Sequence, residues 1–170
     1  MNKLIMDDSQ LKSLVAKICR NISVSGWRPD YVVGITRGGL VPATMISHWF
    51  NVPLQTLKVS LREDATQCES NLWMAEDAFG YDVDLPTPNI LIVDDINDTG
   101  ATFNWIMEDW RSGCLPNEAR WDSVWNQNVK FAVLVDNLAS KCTAKMDFVG
   151  MEINKAEKDV WIDFPWENWW

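Results

Sequence analysis

Several things are scarce in this chain, and each scarcity narrows what it can be. There is one histidine, His48. It falls on an apparent helix with no partner motif beside it, so it reads as a structural residue rather than a base or ligand. The four cysteines, Cys19, Cys68, Cys114 and Cys142, lie far apart and never in CxxC spacing. That spacing argues against a zinc or disulfide framework and for reduced, buried thiols. No run of about 18 apolar residues exists, so no membrane span is expected. Asp7 and Asp8 interrupt any apolar start, and nothing there resembles a signal peptide. The cytoplasm is the expected location. Basic residues are few: 15 Lys and Arg against 24 Asp and Glu give a net charge of −9. A chain this acidic is poorly suited to nucleic acid or anionic membrane, where phosphates must be neutralised by cations. A small phosphorylated ligand held by a few local donors remains compatible. There is no internal repeat and no low-complexity tract.

What is present is a globular composition and an excess of tryptophan. With 170 residues and 47% hydrophobic content, the chain has enough material for one domain with a real core. The 11 tryptophans exceed what a free surface tolerates, so most belong in a core or a subunit interface. That abundance suits a buried interface between copies of the chain.

Hydrophobic spacing sets out the elements. Leu11, Leu14, Val15 and Ile18 recur at helical spacing after Asp8, a suitable cap, giving a helix over 9–24 that ends near Gly26. A buried strand over 30–36 leads into Arg37-Gly38-Gly39 and then a helix over 40–50. A second strand spans 52–61. Residues 62–89 read as a long loop with about one helical turn; loops of that length in compact domains are usually functional lids or disordered. Residues 89–93 form the next strand, 101–110 a helix, 112–128 a surface excursion and 130–136 a further strand. Continuous apolar strands alternating with helices argue for an α/β fold, a mostly parallel sheet covered on both faces.

The most informative segment is ILIVDDINDTGAT, residues 90–102. In parallel sheets ligands bind beyond the carboxyl ends of the strands, and Asp94 and Asp95 sit at such an end. Asp98 follows, and Thr99-Gly100-Ala101-Thr102 opens a helix. The first turn of a helix has unpaired N–H groups and the positive end of a dipole, which together attract phosphate. Carboxylates beside a phosphate need an intermediary. Mg²⁺ serves, since it takes one or two carboxylates plus ligand oxygens, and neutral hydroxyls serve too. A phosphorylated sugar combines these features.

This segment resembles the phosphoribosyl-diphosphate (PRPP) motif of type I phosphoribosyltransferases. VVGITRGGLVPA (32–43) is similar to that family's pyrophosphate loop, and DVWIDFPWE (159–167) to the hood of its xanthine-guanine and hypoxanthine enzymes. The likeness runs over about 31–167. It implies a type I phosphoribosyltransferase-like fold: a central, mostly parallel sheet flanked by helices, with a small C-terminal/N-terminal hood. It implies one domain over 1–170, with a core of about 27–140, a flexible loop of about 62–89 and a hood of about 141–170, and, since members of the family are commonly dimers or tetramers, a homo-oligomer of one of those sizes.

The implied activity is transfer of phosphoribosyl from PRPP to a 6-oxopurine (guanine, xanthine or hypoxanthine), releasing pyrophosphate, with Mg²⁺ as cofactor, in purine salvage. By resemblance, Asp94 and Asp95 hold the ribose, with Asp95 near the metal. Asp98 is the catalytic acid–base group; taken alone it would read as a helix cap. Asp98, Thr99, Gly100, Ala101 and Thr102 bind the 5′-phosphate. Arg37, Gly38 and Gly39 bind pyrophosphate, after a Thr36–Arg37 bond that the family often has in cis. Trp161 stacks on the purine, and the Ile162 carbonyl accepts from an exocyclic amine.

Two departures stand out. The xanthine-guanine enzymes carry a base-binding lysine just past the strand matching 130–136. The nearest position here is Asn137, which can donate or accept; Lys141 lies four residues on. Secondly, no Lys or Arg occurs between Arg62 and Arg111, so only Lys58 or Arg62 can bring a cation from the lid, and Arg62 is preferred. Two alternatives stay open: a PRPP-binding regulatory protein, and a phosphoribosyltransferase for a different base.

Overall fold

In a computed structural model, residues 1–61, 68–80, 84–115 and 118–170 are described. Arg62, and the rest of 62–67, read in the sequence as part of the lid, lie outside them.

Helix α1 (Asp8–Ser25) is capped by Asp7, not Asp8. The Asp7 carboxylate accepts from Gln10 N at 2.7 Å and the Gln10 side chain accepts from Asp7 N at 2.9 Å. This reciprocal box needs the residue three positions back from Gln10, which is why the cap shifts by one. Leu11, Val15, Ile18, Cys19 and Ile22 form its buried stripe. Gly26, at φ +78°, ends it.

Five parallel strands form the sheet: β2 (Tyr31–Thr36), β3 (Leu54–Lys58), β4 (Ile90–Asn97), β5 (Val129–Asn137) and β6 (Phe148–Ile153), in spatial order β3-β2-β4-β5-β6. Alternation distributes their side chains to two apolar layers. Ile90 and Ile92 of β4 join Phe131 and Val133 of β5 on one face. Leu91 and Val93 join Ala132 and Leu134 on the other. Helix α1 and helix α2 (Leu40–Phe50) cover the second face. The first is covered by α3 (Leu72–Phe79), α4 (Ala101–Gly113) and a short 3-10 helix (Ala119–Ser123). The sheet reaches Ile153, where β6 pairs with β5.

Three segments differ from the expectation. Two full turns, α3, replace the single turn allowed within 62–89. Asn71 caps it by accepting from Met74 N at 3.3 Å, and Met74, Ala75, Ala78 and Phe79 are buried. Packing beside α4 decides this helix, since an isolated eight-residue helix would not persist. Within the excursion over 112–128, Trp121 is fully buried and donates from Nε1 to Cys114 O at 2.8 Å. Trp125 stacks against it, 5.4 Å between ring centroids. Last, the N-terminus adds a strand, β1 (Asn2–Ile5), parallel to β7 (Val160–Asp163). Met6, Ile162 and Phe164 anchor this two-stranded hood in the layer under α1 and α2.

Of the cysteines only Cys19 is buried; all four are free thiols. His48 is exposed in the last turn of α2. Trp166 stacks on Phe164, with centroids 5.0 Å apart, whereas Trp169 and Trp170 are exposed. No helix among the described residues is long and apolar enough to cross a membrane.

Candidate active site

Strands β2 and β4 are parallel neighbours, so their carboxyl ends open side by side. After β2 the Thr36–Arg37 peptide is cis. Gly39 N donates to Ile35 O at 2.8 Å and Leu40 N to Arg37 O at 3.1 Å, folding the loop back toward the sheet. Neither glycine has room for a side chain. A Cβ on Gly38 would lie 2.1 Å from Asp95 Oδ2, and one on Gly39 2.3 Å from Val93 O. The loop backbone therefore sits directly on the tip of β4, with Arg37 exposed beside it.

At that tip the chain organises its own acids. Asp95 N donates to Asp94 Oδ1 at 2.9 Å, and Ile96 N to Asp95 Oδ1 at 2.8 Å. Each carboxylate is thus oriented by the N–H that follows it. Asp94 is 9% exposed. The turn into α4 passes through Gly100 at φ +90°. There a Cβ would meet Cys142 N at 2.2 Å, so glycine is required both for the backbone angle and for the close approach of 141–142. Ala101 N donates to Thr99 Oγ1 at 3.2 Å. The next N–H groups of α4 lie at the positive end of the helix, beside Thr99 and Thr102.

On the other side of Asp98 stands a residue that sequence spacing did not single out. Lys155 Nζ is 2.9 Å from Asp98 Oδ1 and 5.9 Å from the Trp161 ring centroid. Asn137 is buried between them. Its Nδ2 donates to Asp98 O at 2.8 Å, with Asp98 Oδ1 at 3.4 Å. Its Oδ1 accepts from Lys155 N at 3.0 Å and Ala139 N at 3.1 Å. Both ends of the amide are therefore engaged inside the protein. Lys141 is exposed and contributes backbone: its N donates to Thr99 O at 2.9 Å. Lys155 lies in a polar turn, and nothing local in the sequence marks it.

Trp161 is half-buried and donates from Nε1 to Asp163 Oδ1 at 3.1 Å. Along β7 and the residue before it, the carbonyls of Asp163 and Asp159 accept from Met6 N and Asn2 N, on the edge that faces β1. Alternation along the strand turns the Ile162 carbonyl to the opposite edge. Beneath the site, Asn97 Nδ2 donates to Asp136 Oδ1 at 2.9 Å. Burial pushes the Asp136 carboxyl pKa up, the Asn97 hydrogen bond opposes that, and Glu152 adds to it.

The fold thus gathers Arg37, Gly38 and Gly39, Asp94 and Asp95, Asp98 to Thr102, and, through Lys155, Asn137 and Trp161. At the end of β3, exposed Lys58 is a described cation next to β2. No group of three or more His, Cys, Asp or Glu side chains able to hold a metal occurs among the described residues. A carboxylate at this strand end, such as Asp95, does fit a cation such as Mg²⁺, which takes few protein ligands and completes its shell with ligand oxygens and water.

Residues 3–167 match the sequence profile described as the phosphoribosyl transferase domain. The chain is 24% identical over 165 residues to hypoxanthine-guanine phosphoribosyltransferase of Schizosaccharomyces pombe, covering 83% of this chain and 78% of that protein. It is 25% identical to the bifunctional protein PyrR of Clostridium novyi, covering 92% and 86%. A purine phosphoribosyltransferase from Pyrococcus horikoshii shares the fold, with a TM-score of 0.67, 22% identity and coverage of 99% and 95%.

Proposed function

Since the chain belongs to the phosphoribosyl transferase domain family, we propose that this PRPP-dependent phosphoribosyltransferase acts on a 6-oxopurine (guanine, xanthine or hypoxanthine), forming a nucleoside monophosphate and pyrophosphate in purine salvage. The observation that carries the reading is the seating of the Arg37–Gly39 loop on the acidic end of β4, with the start of α4 alongside. One activated sugar phosphate has an end for each.

In this reading Thr99, Gly100, Ala101 and Thr102, with Asp98 N-terminal to them, bind the 5′-phosphate through backbone N–H and hydroxyl groups. Asp94 and Asp95 accept from the ribose hydroxyls. Arg37, with the bare backbone of Gly38 and Gly39, grips pyrophosphate; a planar guanidinium matches phosphate oxygens bidentately. Mg²⁺, held on the protein side by Asp95, would neutralise charge on the pyrophosphate oxygens. The bond from C1 of the ribose to pyrophosphate breaks as a ring nitrogen of the purine bonds to C1. Asp98 accepts the ring proton. Trp161 packs on the face of the base, which contributes affinity more than identity, and the Ile162 carbonyl accepts from an exocyclic amine. Asn137 holds the base-side groups in place. Of the lid cations, Arg62 is the proposed pyrophosphate contact.

Incubation with PRPP, Mg²⁺ and each of guanine, hypoxanthine, xanthine and adenine tests the reading. Pyrophosphate release with at least one 6-oxopurine is expected. A folded protein that releases none with any base rejects it. The similarity to a protein named bifunctional favours one second reading, a PRPP-binding regulator. Tight PRPP binding without turnover would select that reading.

A further inference from the structure

Two asparagines bracket the turn over 98–102. Asn97 ends β4, and Asn104 completes the first turn of α4, where its N–H donates to Gly100 O at 3.1 Å. Both side chains reach the same strip of chain, residues 140–143. Asn97 Oδ1 accepts from Ser140 Oγ at 3.2 Å, and Ser140 Oγ accepts from Cys142 N at 3.1 Å. Asn104 Nδ2 donates to Lys141 O at 3.0 Å, while its Oδ1 accepts from Thr143 N at 2.9 Å and Thr143 Oγ1 at 3.0 Å. Between the two, Lys141 N donates to Thr99 O at 2.9 Å. Residues 140–143 thus form an arch fastened to the strand end, to the turn and to the helix, and it rests on bare Gly100. Asn97 is locked in its turn: it is buried, and its Nδ2 donates to Asp136 Oδ1 of the adjacent strand at 2.9 Å. Helix formation does not call for these amides. Leucine would suit position 104 of a helix better than asparagine, and a buried amide is costly unless its polar ends are bonded.

We propose that Asn97 and Asn104 are positioning residues that hold the 98–102 turn in its anion-receiving shape through the 140–143 arch; the inference rests on the assignment of that turn to the 5′-phosphate of PRPP. The reason is pre-organisation. The backbone N–H groups of a small-residue turn receive an anion together only while they converge on one point. A turn that fluctuates in the free protein must be ordered when the ligand arrives, and affinity falls by that cost. The arch orders it in advance, from both ends. Asp136 sets the orientation of the first clamp: an ionised carboxylate only accepts, so it takes the NH₂ end of Asn97 and leaves the oxygen facing Ser140. Asn97 and Asn104 act on PRPP through backbone, and the identity of the base does not enter.

Calorimetric binding of PRPP with Mg²⁺ to wild type, N104L, N97D and the exchange N97D/D136N, with urea midpoints alongside, tests the assignment. N104L removes the second clamp while favouring the helix, so its PRPP affinity should fall about 5- to 10-fold, the factor carried by one hydrogen bond, with the midpoint held. N97D sets two carboxylates against each other and should bind PRPP at least as weakly. The exchange restores the pair with its roles reversed: the amide at 136 donates, and the carboxylate at 97 accepts from it and from Ser140. It should recover most of the wild-type affinity, which guards against a folding artefact. If N104L and N97D lose stability but keep wild-type PRPP affinity, the contacts are merely structural and the positioning role is overturned. It is overturned as well if the exchange recovers the midpoint and not the affinity. T99A/T102A tests the underlying assignment separately. If wild type binds no PRPP, or if T99A/T102A binds it as tightly as wild type, the turn is not the phosphate site and this inference fails with that reading.

Discussion

Replacing Gly100 with alanine puts two separable costs at the hinge of the phosphate-binding turn. The first is conformational. Gly100 sits at φ +90°, and a Cβ in the left-handed region costs about 1–2 kcal/mol. The second is steric. The new Cβ would lie 2.2 Å from Cys142 N, 2.7 Å from Cys142 Cα and 2.8 Å from Lys141 C. All three are backbone atoms, and Lys141 N is tied to Thr99 O, so no side chain can swing aside. A backbone shift of that kind costs about 1–3 kcal/mol, which brings the sum to about 2–5 kcal/mol. Gly26 supplies the control: it has φ +78°, with nothing within 4 Å of its would-be Cβ, so Gly26→Ala carries the first cost alone. Urea unfolding of wild type, G26A and G100A should give midpoints in falling order with a common slope. The gap between the two variants measures the clash. G100A should also raise KM for PRPP, and G26A should not. Equal destabilisation of the two variants would refute the reasoning, since it would mean that the approach of 141–142 imposes no constraint.

Two further outcomes are expected. Asp98→Asn should lower kcat by about 10²–10⁴-fold, the usual worth of a general acid–base group, with KM for PRPP little moved in a pyrophosphate-release assay; an equal loss of PRPP binding would instead mark Asp98 as a part of the phosphate turn alone. Asp136→Asn should stabilise the protein at neutral pH. Burial raises the folded-state pKa of Asp136, so its protonated form suits the fold, and the stability it contributes at low pH is lost as pH rises through that value. Urea midpoints should favour D136N at pH 7, with the gap closing toward about pH 4; a variant less stable at pH 7 would contradict the sign.

Some of the molecule is legible along the chain because the relevant forces act locally. The continuous apolar runs of 90–93 and 131–135 announce strands buried on both faces, and the layers formed by Ile90 and Ile92 and by Leu91 and Val93 are their direct result. The stripe of α1 follows from helical spacing. Elements that exist only through a neighbour were not legible. Helix α3 is short and depends on α4, β1 has four residues and depends on β7, and Trp121 becomes core only when Phe79 packs on it, 5.2 Å between rings.

The site divides along the same line. By itself the sequence determined the acidic strand tip, the bare glycine loop and the small-residue helix start, since each is a contiguous run whose chemistry depends on residues a few positions apart. Only the tertiary structure decided that Gly38 seats on Asp95, that Gly100 is crossed by the 141–142 backbone, and that the cation beside Asp98 is Lys155. Those contacts join segments distant in the chain, and sequence periodicity carries no information about which distant segments meet; the strand order of the sheet does.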